Sequence, residues 1–194
     1  EWNAILKDWS TTSVRVALSY PDTYEIGMSN MAIPILYAIV NDQPGMLAER
    51  VFTPWIDMIA EMRIANVPLF SLETRHSLKE FDIIGFSLGH EMTFTNILEM
   101  LNLAQIPVLA AERNELHPLI IAGGTCVLNP EPLADFIDLF VIGDGEEVIV
   151  ELLGKFKAAK SNGFSRQQLL RQLASIEGIY VPQLYSVVYN TDGT

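Results

Sequence analysis

Four short segments of this 194-residue chain place glycine beside polar or titratable side chains, each directly after an apolar run. Asp22, Tyr24 and Gly27 follow the first run, and Ser87, Leu88, Gly89, His90 and Glu91 follow a central one. Gly123, Gly124, Thr125 and Cys126 follow the next, and Gly143, Asp144, Gly145, Glu146 and Glu147 the last. Gathered at one edge of a sheet, loops this small admit a large planar or phosphate-bearing ligand. The plainer use of each glycine is a tight turn into a helix. Phosphate is the poorer fit, because neither G-x-G-x-x-G after the first run nor G-x-x-x-x-G-K-[ST] anywhere is present. Glu146 and Glu147 would stand in the first turn of a helix, where carboxylates complement the positive end of the dipole.

The other titratable residues have a structural use beside a chemical one. His90 and Glu91 suit an acid–base pair, but no second carboxylate or nucleophile is placed with them, so capping of the next helix is the better reading. Cys126 is either a thiol activated by a helix start or, preferably, a small packing residue. Asn129 to Glu131 reads equally as a rigid turn or as a ligand rim. His76 and His117 fall in polar connecting stretches and are expected to be solvated. Metal binding needs three or four convergent ligands, and no spacing suggests them.

The elements that would position these loops alternate. Val14–Leu18 reads as the first strand, Met31–Val40 as a helix with Ile33, Leu36 and Val40 on one face, and Glu49–Phe52 as a weaker strand. A helix over Trp55–Ile64 is expected to bury Trp55, Ile59 and Met62. Ile83–Ser87, Leu119–Ala122 and Leu139–Ile142 have the unbroken apolar runs of parallel strands covered on both faces. Phe94, Ile97, Leu98 and Leu101 form a helical stripe, as do Ile149, Leu152, Leu153 and Phe156, and again Leu169, Leu173 and Ile176. Strands alternating with helices imply right-handed βαβ units and a mainly parallel sheet of about five strands. Ile179–Val181 and Tyr185–Tyr189 are expected to begin a further unit.

Twelve Lys and Arg against 24 Asp and Glu give a net charge of −12, and 49% of residues are hydrophobic. That balance describes a filled core and excludes a stand-alone nucleic-acid binder, which needs clustered cations. The single cysteine excludes an internal disulfide, a Cys₄ zinc site and an iron–sulfur cluster held wholly by these residues. No apolar run approaches the ~20 residues that span a bilayer, and a cytoplasmic location is expected. Glu1 at the start and an Asp-Gly turn at the end suggest an N-terminal piece of a longer protein.

In order and spacing, the loops resemble a known family. Asp22-x-Tyr24-x-x-Gly27 has the spacing of the Asp-x-His-x-x-Gly motif of cobalamin-binding domains, with Ser87-Leu88 and Gly123-Gly124 where those domains have Ser-x-Leu and Gly-Gly. More closely, Pro21 to Ser29, Asn129 to Asp135 and Gly143 to Glu147 look like the N-terminal B12-binding-like domain of a radical S-adenosylmethionine (SAM) family. The resemblance implies a doubly wound, flavodoxin-like α/β domain over residues 13–160, with residues 161–194 a helix and the start of a linker or strands. It implies a cofactor-binding set of Asp22, Tyr24, Gly27, Ser87, Leu88, Gly89, Gly123, Gly124, Thr125, Gly143, Gly145 and Glu146, with no catalytic residue or metal ligand. The partner implied is a radical SAM domain C-terminal to this one, carrying the 4Fe–4S cluster and SAM. Tyr24 replaces the imidazole that ligates cobalt, and Gly89 replaces a leucine, so any cobalamin would bind without histidine. Gly123 and Gly124 are expected to stay small for a ligand or the following domain. The alternative is an interaction domain that kept the fold and lost the cofactor; a flavin or nucleotide module is disfavoured by the missing phosphate loops.

Overall fold

A computed structural model describes residues 3–186, 188, 190 and 191. Five parallel strands form the sheet: β1 (Val14–Tyr20), β2 (Met46–Phe52), β3 (Ile83–Ser87), β4 (Leu119–Gly123) and β5 (Leu139–Val141). The helices are α1 (Tyr24–Gly27), α2 (Ala32–Asp42), α3 (Ile56–Ala65), α4 (Phe94–Leu103), α5 (Gly145–Ser161) and α6 (Arg166–Leu173). The strand order β2-β1-β3-β4-β5 is doubly wound, and a two-residue strand β6 (Ile179–Tyr180) adds to β5 antiparallel. Alternate residues of each strand face opposite layers. Leu18, Ile83, Ile121 and Val141 pack under α2 and α5, while Ala17, Ile84, Ile120 and Phe140 pack under α4 and the loops beside it. Covering both faces is why these strands read as unbroken apolar runs.

The structure departs from the sequence reading where polar atoms or chain direction intervene. Strand β2 is longer than Glu49–Phe52 and buried along its whole length, two charged residues included. Arg50 pairs with Glu73 at 2.7 Å, and the other Glu73 oxygen accepts the Arg50 backbone N–H. Thr74 Oγ1 donates to the Glu49 carboxylate at 2.7 Å. The Asn41 amide brackets Ala48, donating to its carbonyl and accepting its N–H, both at 3.1 Å. Side chains thereby occupy an edge that would otherwise be open to another strand. Trp55, expected in the core, is 63% exposed, because it precedes α3 in extended backbone and lies off the helical stripe that buries Met62. Ile179–Tyr180 does not open a further unit: Gly178, at φ +80°, reverses the chain, and its carbonyl accepts the Ile142 N–H at 2.7 Å. Of the strand expected over Tyr185–Tyr189, Val187 and Tyr189 lie outside the described residues.

One buried polar cluster fixes α6 to the sheet. Asp138, fully buried before β5, accepts the Ile120 N–H and Arg166 Nη2, both at 2.7 Å, with Arg113 Nη1 at 3.3 Å. Arg166 also donates to the carbonyls of His117 and Pro118. Burial pushes the Asp138 carboxyl up, against the pull of both guanidiniums, and pushes Arg113 down to about 10. Leu170, Leu173, Ile176 and Val181 then enter the same core as β1 and α2. Among the described residues no helix is long and apolar enough to cross a membrane. Arg166→Ala removes one of two cations from a buried carboxylate and is expected to cost about 3–5 kcal/mol, measured by urea denaturation; a loss within ordinary surface variation would contradict this role.

Candidate functional site

A cleft of about 390 Å³ opens at the carboxyl ends of β3, β4 and β5, between the sheet and helices α2 and α5. Its floor is a row across three strands, Leu18, Gly85 and Ile121, which are direct register partners. Its roof is Ala32, Ile33 and Leu36 of α2 with Gly145 and Ile149 of α5, and its mouth is Ser87, Gly123–Thr125, Leu128 and Gly143–Glu146. Gly85 opens the space. A Cβ there would lie 3.5 Å from Ile121 Cγ1 and 3.6 Å from Leu18 Cδ2, ordinary contact distances, and Gly85 is not among the positive-φ residues. Neither backbone strain nor crowding demands glycine at this position, so what glycine supplies is room. A glycine inside a central strand weakens it and marks a place where something approaches closely.

The loop glycines serve different ends. Gly124 has φ +101°, and a Cβ would sit 2.6 Å from the Leu88 carbonyl oxygen and 2.9 Å from its nitrogen. Leu88 N–H donates to Gly123 O at 2.8 Å and Leu88 O accepts Cys126 N–H, so the β3 and β4 loops are sewn together there. The constraint on Gly124, expected to come from a ligand or a following domain, is therefore internal. A Cβ on Gly27 would strike the Phe52 ring at 2.2 Å, and one on Gly89 the Tyr20 hydroxyl at 2.7 Å. A Cβ on Gly123 would meet Val141 at an ordinary 3.8 Å, and one on Gly143, at φ +111°, would meet nothing within 4 Å.

Of the sequence-derived set, Ser87, Gly123, Gly124, Thr125, Gly143, Gly145 and Glu146 line the cleft; Asp22, Tyr24, Gly27, Leu88 and Gly89 do not. Asp22 Oδ1 accepts the Thr23 N–H, Tyr24 meets the Phe52 ring edge-on at 5.7 Å, and Leu88 is buried against the opposite layer. Sequence reasoning missed Gly85 and the α2 residues Ile33 and Leu36. The available signal was a glycine interrupting the apolar run Ile83–Phe86.

Among the described residues no Lys, Arg or His lines the cleft, whereas Asp144 and Glu146 stand at its mouth. The lining therefore repels phosphate and suits neutral or cationic apolar groups. Ser87 and Thr125 supply hydroxyls, the latter donating to Gly89 O at 3.2 Å. Cys126, half-buried beside the mouth, has its thiol pushed up by burial and by Glu91, and so stays protonated at neutral pH. The two histidines expected to be solvated are half-buried, and each is held by neighbouring groups. His76 stacks on Trp9 at 3.7 Å with Nδ1 2.5 Å from Thr74 Oγ1, and His117 Nδ1 accepts the Asn114 N–H at 3.1 Å. Among the described residues no three His, Cys, Asp or Glu side chains converge as a metal site would require.

The family model for the N-terminal part of radical SAM proteins matches residues 32–182, which include the cleft roof, Gly85 and the mouth. The chain belongs to this radical SAM N-terminal family. It is 24% identical over 143 residues to an uncharacterized protein of Methanocaldococcus jannaschii, a match covering 72% of this chain and 26% of that protein. The chain thus corresponds to about a quarter of that relative's length. No solved structure matches it.

Separating the two adjacent glycines of this radical SAM N-terminal domain tests the site geometry. Gly124→Ala meets both a positive φ and the Leu88 backbone and is expected to lose about 1–3 kcal/mol or more; Gly123→Ala is expected to leave the thermal melting midpoint nearly unchanged. Equal losses for the two would contradict the assignment.

Proposed function

We propose that the chain is the accessory domain of a radical SAM protein, and that its cleft holds a flat, largely apolar part of a cofactor or substrate for the radical SAM domain of the same polypeptide. The observation that carries this reading is the Leu18–Gly85–Ile121 row, which gives up packing in the centre of the sheet to keep the cleft open. Within it, Leu18, Ile33 and Ile121 would exclude water from the apolar face of the guest. Ser87 and Thr125 would offer hydrogen bonds at its edge, and Asp144 and Glu146 would favour a neutral or cationic group over a phosphorylated one. The 4Fe–4S cluster of the partner domain would supply reductive cleavage of SAM. Its three cysteines must lie in that domain, because Cys126 is the single cysteine here.

Cobalamin is the cofactor that the family resemblance implies, and the residues fit it in part. Ser87 and Gly123–Gly124 stand on the cleft, whereas Tyr24 lies outside it, and a neutral phenol is a poor cobalt ligand. A corrinoid held here would take no imidazole from this position. The second reading, an interaction domain that has lost the cofactor, draws on a specific observation. The space beside Gly27 is filled by Phe52 and that beside Gly89 by Tyr20, so the protein's own rings occupy part of the cobalamin motif.

The full-length protein, isolated and reconstituted without oxygen, is expected to show the visible absorption of a 4Fe–4S cluster and, with dithionite as electron donor, to convert SAM to 5′-deoxyadenosine and methionine, while residues 1–194 do neither. A full-length protein lacking both would contradict the accessory-domain reading. Hydroxocobalamin titrated into the full-length protein is expected to bind weakly or not at all. Tight binding, with nitrogen hyperfine coupling from a protein histidine in the Co(II) form, would overturn the account of Tyr24.

A further inference from the structure

We infer that the carboxyl edge of the sheet is a docking face for the remainder of this polypeptide, which meets it with an apolar surface bordered by Lys and Arg and so roofs the cleft. The inference rests on the accessory-domain reading and adds to it the surface through which the two parts meet.

Every parallel strand contributes an exposed apolar residue at this edge. Met31 follows β1, Trp55 and Ile56 follow β2, Met92 follows β3, Leu128 follows β4 and Ile142 follows β5. Met31, Trp55, Ile56, Met92 and Leu128 are 70, 63, 72, 85 and 77% exposed. Single exposed hydrophobics are ordinary, but a collar of them on one edge marks an interaction surface. The loops bearing them are tied to one another, which makes the face continuous and fixed in shape. Thr53 N–H donates to Asp22 O at 2.9 Å, Asn96 Nδ2 to Pro21 O at 2.9 Å, and Thr125 Oγ1 to Gly89 O at 3.2 Å.

Charge and chain length select the occupant. Glu25, Asp57, Glu91, Asp144, Glu146 and Glu147 are exposed on the same loops or in the first turns of the helices they lead into, in a chain of net charge −12. A second copy would set this acidic border against itself, and like charges across an interface oppose association. An anionic membrane would be repelled in the same way. The match to about a quarter of the M. jannaschii protein, and a family defined as the N-terminal part of radical SAM proteins, point to a tethered partner. A tether raises its local concentration to about the millimolar range, so a modest interface suffices.

Hydroxyl-radical footprinting of the full-length protein, read by mass spectrometry against the denatured chain, tests this. Met31, Trp55 and Met92 are expected to be protected, while Ile64 at the far end of α3 and Leu116 before β4, 79 and 87% exposed, oxidise as in the denatured chain. Met31, Trp55 and Met92 oxidising at their denatured-chain rates, as Ile64 and Leu116 do, would overturn the proposal. Protection that vanishes on dilution would assign the face to a second copy and overturn it too. In the full-length double variant Trp55→Glu, Met92→Glu, the circular dichroism spectrum is expected to be unchanged and Met31 to become reactive; continued protection of Met31 in a folded variant would contradict docking. Because this readout needs neither cluster nor SAM, its failure is distinguishable from failure of the accessory-domain reading.

Discussion

A side chain is missing where the packing of the sheet calls for one, and the candidate site depends on it. Leu18 on β1 and Ile121 on β4 flank Gly85 in register on β3, under α2 and α5. A branched residue at position 85 would continue the apolar layer and fill the space between sheet and helices. Glycine leaves that space open, and the strand gives up burial and conformational restriction in return, about 0.5–1 kcal/mol relative to alanine. The mouth can then be built from turns that are small for local reasons, such as Gly124 against the Leu88 backbone.

Holding a cleft open requires that its walls stay in place, and two polar devices do this at a distance. The Arg113–Asp138–Arg166 cluster fixes the start of β5 against α6, and α6 packs in turn on α5, whose first turn forms one lip of the mouth. On the other side, Asn41 at the end of α2 is hydrogen-bonded to Ala48 of β2, which anchors the helix whose first turns form the roof. Buried charge of this kind is a poor source of net stability, but removing one member leaves another uncompensated. These clusters therefore act as locators, joining the far ends of helices whose near ends shape the site.

Much of the fold was legible because burial on both faces writes itself as continuous apolar sequence. The parallel strands Val14–Leu18, Ile83–Ser87 and Leu119–Ala122 and the helices carrying Ile97 and Leu152 could be read in this way. Legibility failed where long-range polar partners decide the outcome. Glu49 and Arg50 look like surface residues until Thr74 and Glu73 are brought to them, and His76 looks solvated until Trp9 folds over it. Trp55 failed differently: hydrophobicity does not say whether a residue faces the core or an edge. At the site, turn glycines were conspicuous and drew attention to Gly27 and Gly89, which the protein fills with its own rings, while Gly85 was hidden within a strand. A glycine required by φ and one required for space are identical in sequence and separate only when neighbouring atoms are known.

The most direct measurement is the denaturation free energy of Gly85→Ala beside that of the parent chain. If the glycine is there for space alone, alanine fits at ordinary contact distance in an ordinary strand conformation. Stability is then equal or higher, by up to about 1 kcal/mol. A clear loss of stability, comparable to that of a strained turn glycine, would show that the backbone of β3 needs glycine and that the cleft is a by-product of folding.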